Sequence, residues 1–300
     1  MTEYREYEKF LKSVDESELR RKIRRFRDMD FQNMSYEDVE SEIINVLEYN
    51  NAFKLIPDIY TYPTGVYFYR VRKVEGFHVS DENLLNFVNL DMSDFWDRPP
   101  EKMDENGYGR LNKPKESLLY TAPIDALIAI NETKKEIIGG NIFALIAYQS
   151  IEKIKVNIIG DYFYSAKFGI TDEKTIRVGE TYSDFLRVEF LNTVGKGTEY
   201  LYKISERIAK KYFDLGEIQD AWAYPSAKDK TKCNVCFRPE IAKGLFELRG
   251  AVIARHENQQ VYCLAIAHGF DEKGNAIYHE IGSDVQKRYF PEIVSNKEEI

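Results

Sequence analysis

The sequence has few cysteines and no long apolar segment. Its 300 residues include only three cysteines, and an odd number cannot form a closed disulfide framework. No run approaches the roughly 18 uncharged apolar residues that a membrane-spanning helix needs, and the N-terminal MTEYREYEKF lacks the apolar core of a signal peptide. We therefore expect a cytoplasmic protein without a membrane partner.

The chain also lacks a surplus of positive charge. Forty-two Lys and Arg residues stand against fifty Asp and Glu, which gives a formal net charge of −8. Binding a phosphate backbone needs excess basic charge on one face, so no nucleic-acid partner is expected. One run, Glu18–Arg27, contains six basic residues, and taken alone it suggests an RNA or membrane contact. Because residues 1–50 as a whole are acidic, a solvated helix face explains this run better.

Several common catalytic motifs are missing. The sequence contains no G-x-x-x-x-G-K-[ST], G-x-S-x-G or H-E-x-x-H, and its glycine pairs lack the spacing of a dinucleotide-binding fingerprint. Cys233 and Cys236 form a C-x-x-C, which is half of a zinc site or a redox pair, but the other Cys and His residues do not complete a zinc spacing. Half-buried strand cysteines are the better interpretation, and we expect no metal.

Hydrophobic periodicity predicts a helical segment followed by strands. Residues 1–55 are predicted to form a helical N-terminal extension, with a capping box near Ser13–Glu16 and a second helix from Ser35 that buries Val39, Ile43, Val46 and Leu47. Two further helices are expected, one beginning near Pro123 and one over Thr198–Phe213. Strands are predicted at Val66–Val71, Ser117–Thr121, Asn141–Ala147, Lys155–Ile159, Asp220–Tyr224, Asn234–Phe237, Ala251–His256, Val261–Ala267 and Ala276–Ile281.

This pattern predicts an α+β fold. Strands outnumber helices and do not alternate with them regularly, which indicates mostly antiparallel sheets with a few helices. We expect residues 56–250 to form the main domain and residues 251–300 to add strands that pack on it. Asp271–Asn275 is suited to a hairpin loop between the last two strands.

Three segments in order resemble the signatures of the RES domain family. They are YFYR, ending at Arg70, YGRLNKPKESLLYTAPIDALIAINE over 108–132, and AWAYPSAKDKTKCNVCFRPE over 221–240. The resemblance implies an ADP-ribosyltransferase-like fold and an enzyme that consumes NAD as substrate, with no further cofactor. It also implies a bacterial toxin of a toxin–antitoxin pair, with an antitoxin partner and a homodimer as candidate assemblies. The acceptor of ADP-ribose is left open among phosphate, water and a protein.

The resemblance assigns roles to individual residues: the catalytic residues it implies are Glu132, Arg70 and Ser226, and the NAD-binding residues are Arg70, Arg110, Tyr120, Ser226 and Asn234. Arg70 and Arg110 match family arginines, and a planar guanidinium suits the NAD pyrophosphate because it can donate two parallel hydrogen bonds. Tyr120 matches a tyrosine that could stack on a ring of the dinucleotide. Ser226 matches the family serine, which could hydrogen-bond the ribose or nicotinamide, and Asn234 matches an asparagine that follows it. Taken singly, each arginine is better explained by a surface ion pair, the tyrosine by a core or edge position and the serine by a turn.

Glu132 matches the family glutamate, the catalytic carboxylate, but with a shift of one position. The family pattern places that carboxylate where Asn131 stands, and one residue rotates a helical side chain by about 100°. We favour a one-residue insertion in the turn containing Pro123, which keeps Glu132 correctly aimed, with an altered and weakened site as the alternative. Lys115, where the family has glycine, is a further departure. A RES-like scaffold that binds ligands or proteins without catalysis is therefore the competing hypothesis.

Overall fold

A computed structural model describes residues 2–74, 90–102, 107–139, 141–161, 163, 165–192, 194–195 and 197–294. Its helices are α1 (Thr2–Ser13), α2 (Glu16–Arg27), α3 (Tyr36–Leu47), α4 (Ala126–Glu132), α5 (Lys134–Ile137), α6 (Ser165–Phe168), α7 (Glu173–Leu191), α8 (Tyr202–Tyr212), α9 (Pro239–Leu245) and α10 (Asp284–Tyr289). Its strands are β1 (Ile59–Tyr62), β2 (Tyr67–Lys73), β3 (Leu119–Pro123), β4 (Ile142–Ser150), β5 (Ile154–Ile158), β6 (Ala221–Pro225), β7 (Cys233–Phe237), β8 (Phe246–Glu257), β9 (Gln260–Phe270) and β10 (Ala276–His279).

These elements form an α+β fold with mostly antiparallel strands, as predicted. Every strand predicted from the sequence overlaps an observed strand, and β1 is an addition. The chain divides into two compact units, unit 1 (residues 1–61, 100–116 and 155–236) and unit 2 (residues 62–99, 117–154 and 237–300). The division at residues 55 and 250 stays a prediction. In the described part of the chain, no helix is both long and apolar enough to cross a membrane.

Unit 1 contains the predicted N-terminal helices. The predicted helix start at Ser35 is confirmed, and the structure adds a capping box there, because the Asp38 N–H donates to Ser35 Oγ at 3.1 Å and the Ser35 N–H donates to Asp38 Oδ2 at 3.2 Å. The four apolar residues predicted for the α3 core face are all buried. The cap of α2 differs from the prediction, since Ser13 ends α1 and Asp15 is the N-cap, accepting from the Glu18 N–H at 2.8 Å.

Sequence reasoning missed α7, the longest helix described. Its buried stripe follows helical spacing, with Val178, Tyr182, Phe185 and Glu189 on one side. Gly179 interrupts that pattern, and its missing side chain is needed, because a Cβ there would lie 2.5 Å from the Phe163 ring. Helices α1 and α2 pack on α7. A contact between Phe26 and Phe185, with ring centroids 5.3 Å apart, joins α2 to α7.

Unit 2 is built on strands in the order β3-β2-β4-β8-β9-β10, and each pair with an assigned register is antiparallel. The predicted hairpin loop is confirmed, with the Asp271 N–H donating to Asn275 O at 2.8 Å. Gly250 lies at a register irregularity between β4 and β8. Its φ is +117°, and a Cβ there would lie 2.5 Å from the Ala267 carbonyl oxygen, so glycine is required at this position.

The two faces of the unit 2 sheet carry different layers. Side chains alternate between faces along a strand. Val71 and Ala147 pack with the buried α4 residues in one apolar cluster, which defines the α4 face of the sheet. Phe68 and Tyr148, which are register partners, point to the opposite face, where both contact the ring of Phe246.

Candidate functional site

The predicted site residues divide between the two units. Arg70, Tyr120 and Glu132 belong to unit 2, and they lie on β2, β3 and α4 respectively. The other three belong to unit 1, in the segment before β3 and around the β6–β7 turn; they are Arg110, Ser226 and Asn234. We therefore consider the geometry of each set within its own unit.

Tyr120 and Glu132 lie on the same side of the unit 2 sheet. Ala122 belongs to the apolar cluster on the α4 face, and Tyr120, two residues earlier in β3, projects to that face as well. Glu132 is the last residue of α4 and is half-buried, whereas Asn131 is exposed. The helix therefore turns Glu132, and not its neighbour, towards the protein.

The turn before α4 is strained at Ile124. This residue has φ +70°, in the left-handed region that a β-branched side chain rarely adopts. The Asp125 N–H donates to Pro123 O at 2.7 Å, which closes a tight three-residue turn around Ile124. The Ile124 N–H in turn donates to Tyr67 O at 2.8 Å. This turn, in which the one-residue insertion is predicted, holds the start of α4 against β2.

Replacing Ile124 with glycine is expected to stabilise the protein by about 1 kcal/mol. A non-glycine residue in the left-handed region costs about 1–3 kcal/mol, and the added flexibility of glycine offsets about 0.5–1 kcal/mol of the gain. No core contact is lost, because Ile124 is 69% exposed. Urea denaturation measures the change. Ile124→Ala, which keeps a Cβ, should gain less, and equal stability of the wild type and both variants would contradict the strain.

Lys115 occupies a backbone conformation that normally selects glycine. Its φ is +61°, and the Glu116 N–H donates to Lys113 O at 3.1 Å across Pro114 and Lys115. Proline followed by a residue with positive φ is the pattern of a type II turn. The turn therefore forms although lysine stands where the RES pattern has glycine, and Lys115 takes the left-handed conformation itself.

Arg70 lies on the face of the sheet opposite α4. It pairs in register with Ile146, two residues from the Phe68 and Tyr148 pair and therefore on the same face, and its side chain interacts with Tyr148 and Asp97. Burial lowers the pKa of the Arg70 guanidinium, and the hydrogen bond to the Tyr148 hydroxyl opposes this shift. Tyr148 donates onward to Phe95 O at 2.5 Å.

One nitrogen atom of the Arg70 side chain lacks a hydrogen-bond partner within the described part of the chain. This atom, Nη1, is buried. Asp97 is shared, since Ser117 Oγ donates to it at 2.6 Å and Lys243 Nζ lies 3.6 Å away. Unit 2 therefore brings Tyr120 and Glu132 to one face and places Arg70 on the other.

Arg110 makes hydrogen bonds to the C-terminal end of α7. Its Nη1 donates to Phe190 O and, at 3.1 Å, to Asn192 O. The guanidinium carbon lies 5.5 Å from the centroid of the Tyr202 ring. A cation near the last carbonyls of a helix complements the helix dipole, so Arg110 has a structural role at the end of α7.

Ser226 and Asn234 are both buried in unit 1. The Ser226 Oγ accepts hydrogen bonds from the backbone N–H groups of Lys228 and Asp229, each at 3.1 Å. Its own N–H donates to Lys232 O at 3.0 Å. The serine thus fixes the turn between β6 and β7, the role that its sequence context suggested as the alternative to ligand binding.

The C-x-x-C cysteines lie in β7, as the strand interpretation predicted. Cys233 is half-buried and Cys236 is buried, and neither is part of a disulfide bond. No cluster of three or more His, Cys, Asp or Glu able to hold a metal is found within the described ranges.

Sequence reasoning missed a buried acid in unit 1. Glu206 of α8 is buried, which raises the pKa of its carboxyl group, and Arg207 opposes the shift from 3.7 Å away. The Arg207 guanidinium carbon and Lys113 Nζ lie 4.5 Å and 4.9 Å from the Tyr36 ring centroid. Helical periodicity places residue 206 beside apolar positions of α8. A charged residue at such a position is the sequence feature that could have indicated a buried acid.

Comparison of the chain with protein-family models, with curated proteins and with solved structures finds no match.

Proposed function

We propose that this protein is a RES-type enzyme with an ADP-ribosyltransferase-like fold that cleaves the bond between nicotinamide and ribose in NAD. The observation that carries the proposal is the ordered set of motifs from Arg70 to Asn234, together with the placement of Tyr120 and the half-buried Glu132 on one face of the unit 2 sheet. We further propose that it acts in the cytoplasm as a toxin or stress-response protein, with an antitoxin as a protein partner.

The proposed chemistry gives Glu132 a defined task. When the N-glycosidic bond breaks, its electron pair leaves with nicotinamide and positive charge develops on the ribose ring. A carboxylate held near that centre lowers the barrier because the attraction is strongest in the transition state. Phosphate, water or a protein side chain then forms the new bond to the ribose carbon. Tyr120, on the same face, would stack on a ring of the dinucleotide.

The resemblance also assigns NAD-binding roles to Arg110, Ser226 and Asn234 of unit 1. Arg110 donates from Nη1 to the end of α7 and has further N–H groups that suit a pyrophosphate. Arg70 has a different proposed role. Because it lies opposite α4, with Tyr148 as partner, we assign it to supporting the sheet and derive no catalytic step from it.

Incubation of the purified protein with NAD tests the proposal. We expect NAD to disappear with release of nicotinamide, and mass spectrometry to show ADP-ribose phosphate when phosphate is the acceptor, ADP-ribose when water is, or a modified protein when a protein is supplied. The protein's fold is checked by circular dichroism in the same buffer. Intact NAD under all three conditions, from a folded protein, would contradict the enzymatic proposal.

A RES-like scaffold without catalysis is the second candidate. It is favoured by the hydrogen bonds that already occupy Arg110 and Ser226. Calorimetric titration with NAD separates the two functions, because a scaffold that binds NAD gives saturable heat without any nicotinamide release.

A further inference from the structure

An arginine-lined cavity lies between α2 and α7 within unit 1. It has a volume of about 620 Å³, which is in the range of small-molecule sites. Its lining includes five arginines and two acidic residues, namely Arg20, Arg24, Arg27, Arg177, Arg187, Glu180 and Asp184. Such a concentration of guanidinium groups is unexpected in a chain of net charge −8. None of the residues predicted to bind NAD contributes to this cavity.

The three α2 arginines form one stripe. Positions 20, 24 and 27 follow the i, i+4, i+7 spacing that puts side chains on one side of a helix. This stripe lies beside the buried positions Leu19, Ile23 and Phe26, by which α2 packs on the protein. The three arginines therefore all face the cavity between α2 and α7.

Glu16 fixes two of the arginines in position. Its Oε1 accepts from Arg20 Nε at 3.0 Å, and its Oε2 accepts from Arg177 Nε at 3.0 Å, so one carboxylate links α2 to α7. These hydrogen bonds, that from Arg177 first, lower the pKa of Glu16. Both arginines are held before any ligand arrives, which reduces the entropy lost on binding.

Arg24 and Arg27 differ from their neighbours. The side chain of neither residue forms a salt bridge or a hydrogen bond with any residue that the structure describes, although both line the cavity and Arg27 interacts electrostatically with Glu189 of α7. Guanidinium groups bind phosphate oxygens through pairs of charge-assisted hydrogen bonds. We propose that this cavity binds a small ligand with two or more phosphate groups. Arg24 and Arg27 bind the phosphates chiefly, and Arg20 and Arg177, which Glu16 positions, add to the site.

The lining favours a small polyphosphate over single-stranded RNA. Proteins that bind single strands combine positive charge with exposed aromatic rings on which bases stack. Among the described lining residues, Phe185 is the only aromatic one, and it is buried. The cavity therefore matches a compact anion recognised through its phosphates.

Calorimetric titration of the full chain tests the proposal, with inorganic triphosphate and ADP as separate probes at one ionic strength. We expect saturable binding of both, and binding about tenfold or more weaker after the double substitution Arg24→Gln with Arg27→Gln. Comparing the two probes shows whether the phosphates alone are recognised or a nucleoside adds affinity. Circular dichroism shows that the variant is folded.

A matched control removes the same charge from the same helix. Arg21 and Arg25 do not line this cavity, and both are exposed. Arg21→Gln with Arg25→Gln should leave triphosphate affinity nearly unchanged. An equal loss in both double variants, no triphosphate binding, or tighter binding of a short single-stranded RNA than of triphosphate would each overturn the proposal. NAD turnover is measured separately, so the proposed function can fail without this site failing.

Discussion

Glutamine in place of Glu132 is expected to slow NAD cleavage by about a hundredfold or more, since removing one electrostatic group that acts on the transition state has effects of this size. Glutamine has nearly the shape of glutamate but carries no charge, and Glu132 is only half-buried at the end of α4. The urea midpoint should therefore stay close to that of the wild type. Initial rates of nicotinamide release at saturating NAD measure the effect.

Two further variants make this expectation specific to Glu132. Glu136, in α5, is exposed, and Glu136→Gln should retain full turnover. The exchange Asn131→Glu with Glu132→Asn moves the carboxylate about 100° around the helix and should be as slow as Glu132→Gln. Loss of turnover in Glu136→Gln alone would assign the catalytic carboxylate to α5. Full activity of the exchange variant would show that the aim of residue 132 is unimportant.

Local sequence patterns predicted most of the fold. The start of α3 after Ser35 and the strands from Tyr67 onwards were predicted correctly because each depends on spacing within a few residues. Helix α7 was missed because Gly179 and Glu189 stand on its buried side. The need for glycine at 179 comes from Phe163, a contact that tertiary structure alone creates.

The candidate site was less predictable because its residues depend on tertiary arrangement. The sequence shows Pro123 and a helix after it, but nothing in it identifies Ile124 as left-handed, since β-branched residues rarely adopt that conformation. Arg70 was matched correctly to a strand. Which face of a sheet a strand residue occupies depends on the register with its neighbours, and pairing with β4 places Arg70 opposite α4.

Glu189, the charged residue on the buried side of α7, should make the stability of the protein depend on pH. It is 8% exposed, and burial raises the pKa of its carboxyl group to about 7 from 4.5. Arg27 and a 3.4 Å hydrogen bond from Asn192 oppose the shift. The unfolded chain releases this proton near pH 4.5, whereas the folded protein keeps it until about pH 7.

The sign of the effect follows from that difference. Between pH 4.5 and about 7 the folded state binds more protons than the unfolded state, so the free energy of unfolding falls as pH rises and levels off above about 7. The total change attributable to Glu189 is roughly 3 kcal/mol, at about 1.4 kcal/mol per pKa unit.

Glu189→Gln should remove this loss, because a neutral amide in the same place does not titrate. We expect the variant to exceed the wild type in unfolding free energy by roughly 2–3 kcal/mol at pH 8 and to match it near pH 4.5. Urea denaturation at several pH values measures both curves. Glu180→Gln, at an exposed position of the same helix, should leave the wild-type pH dependence intact. Parallel curves for Glu189→Gln and the wild type would show that Glu189 already ionises in the folded protein at acidic pH.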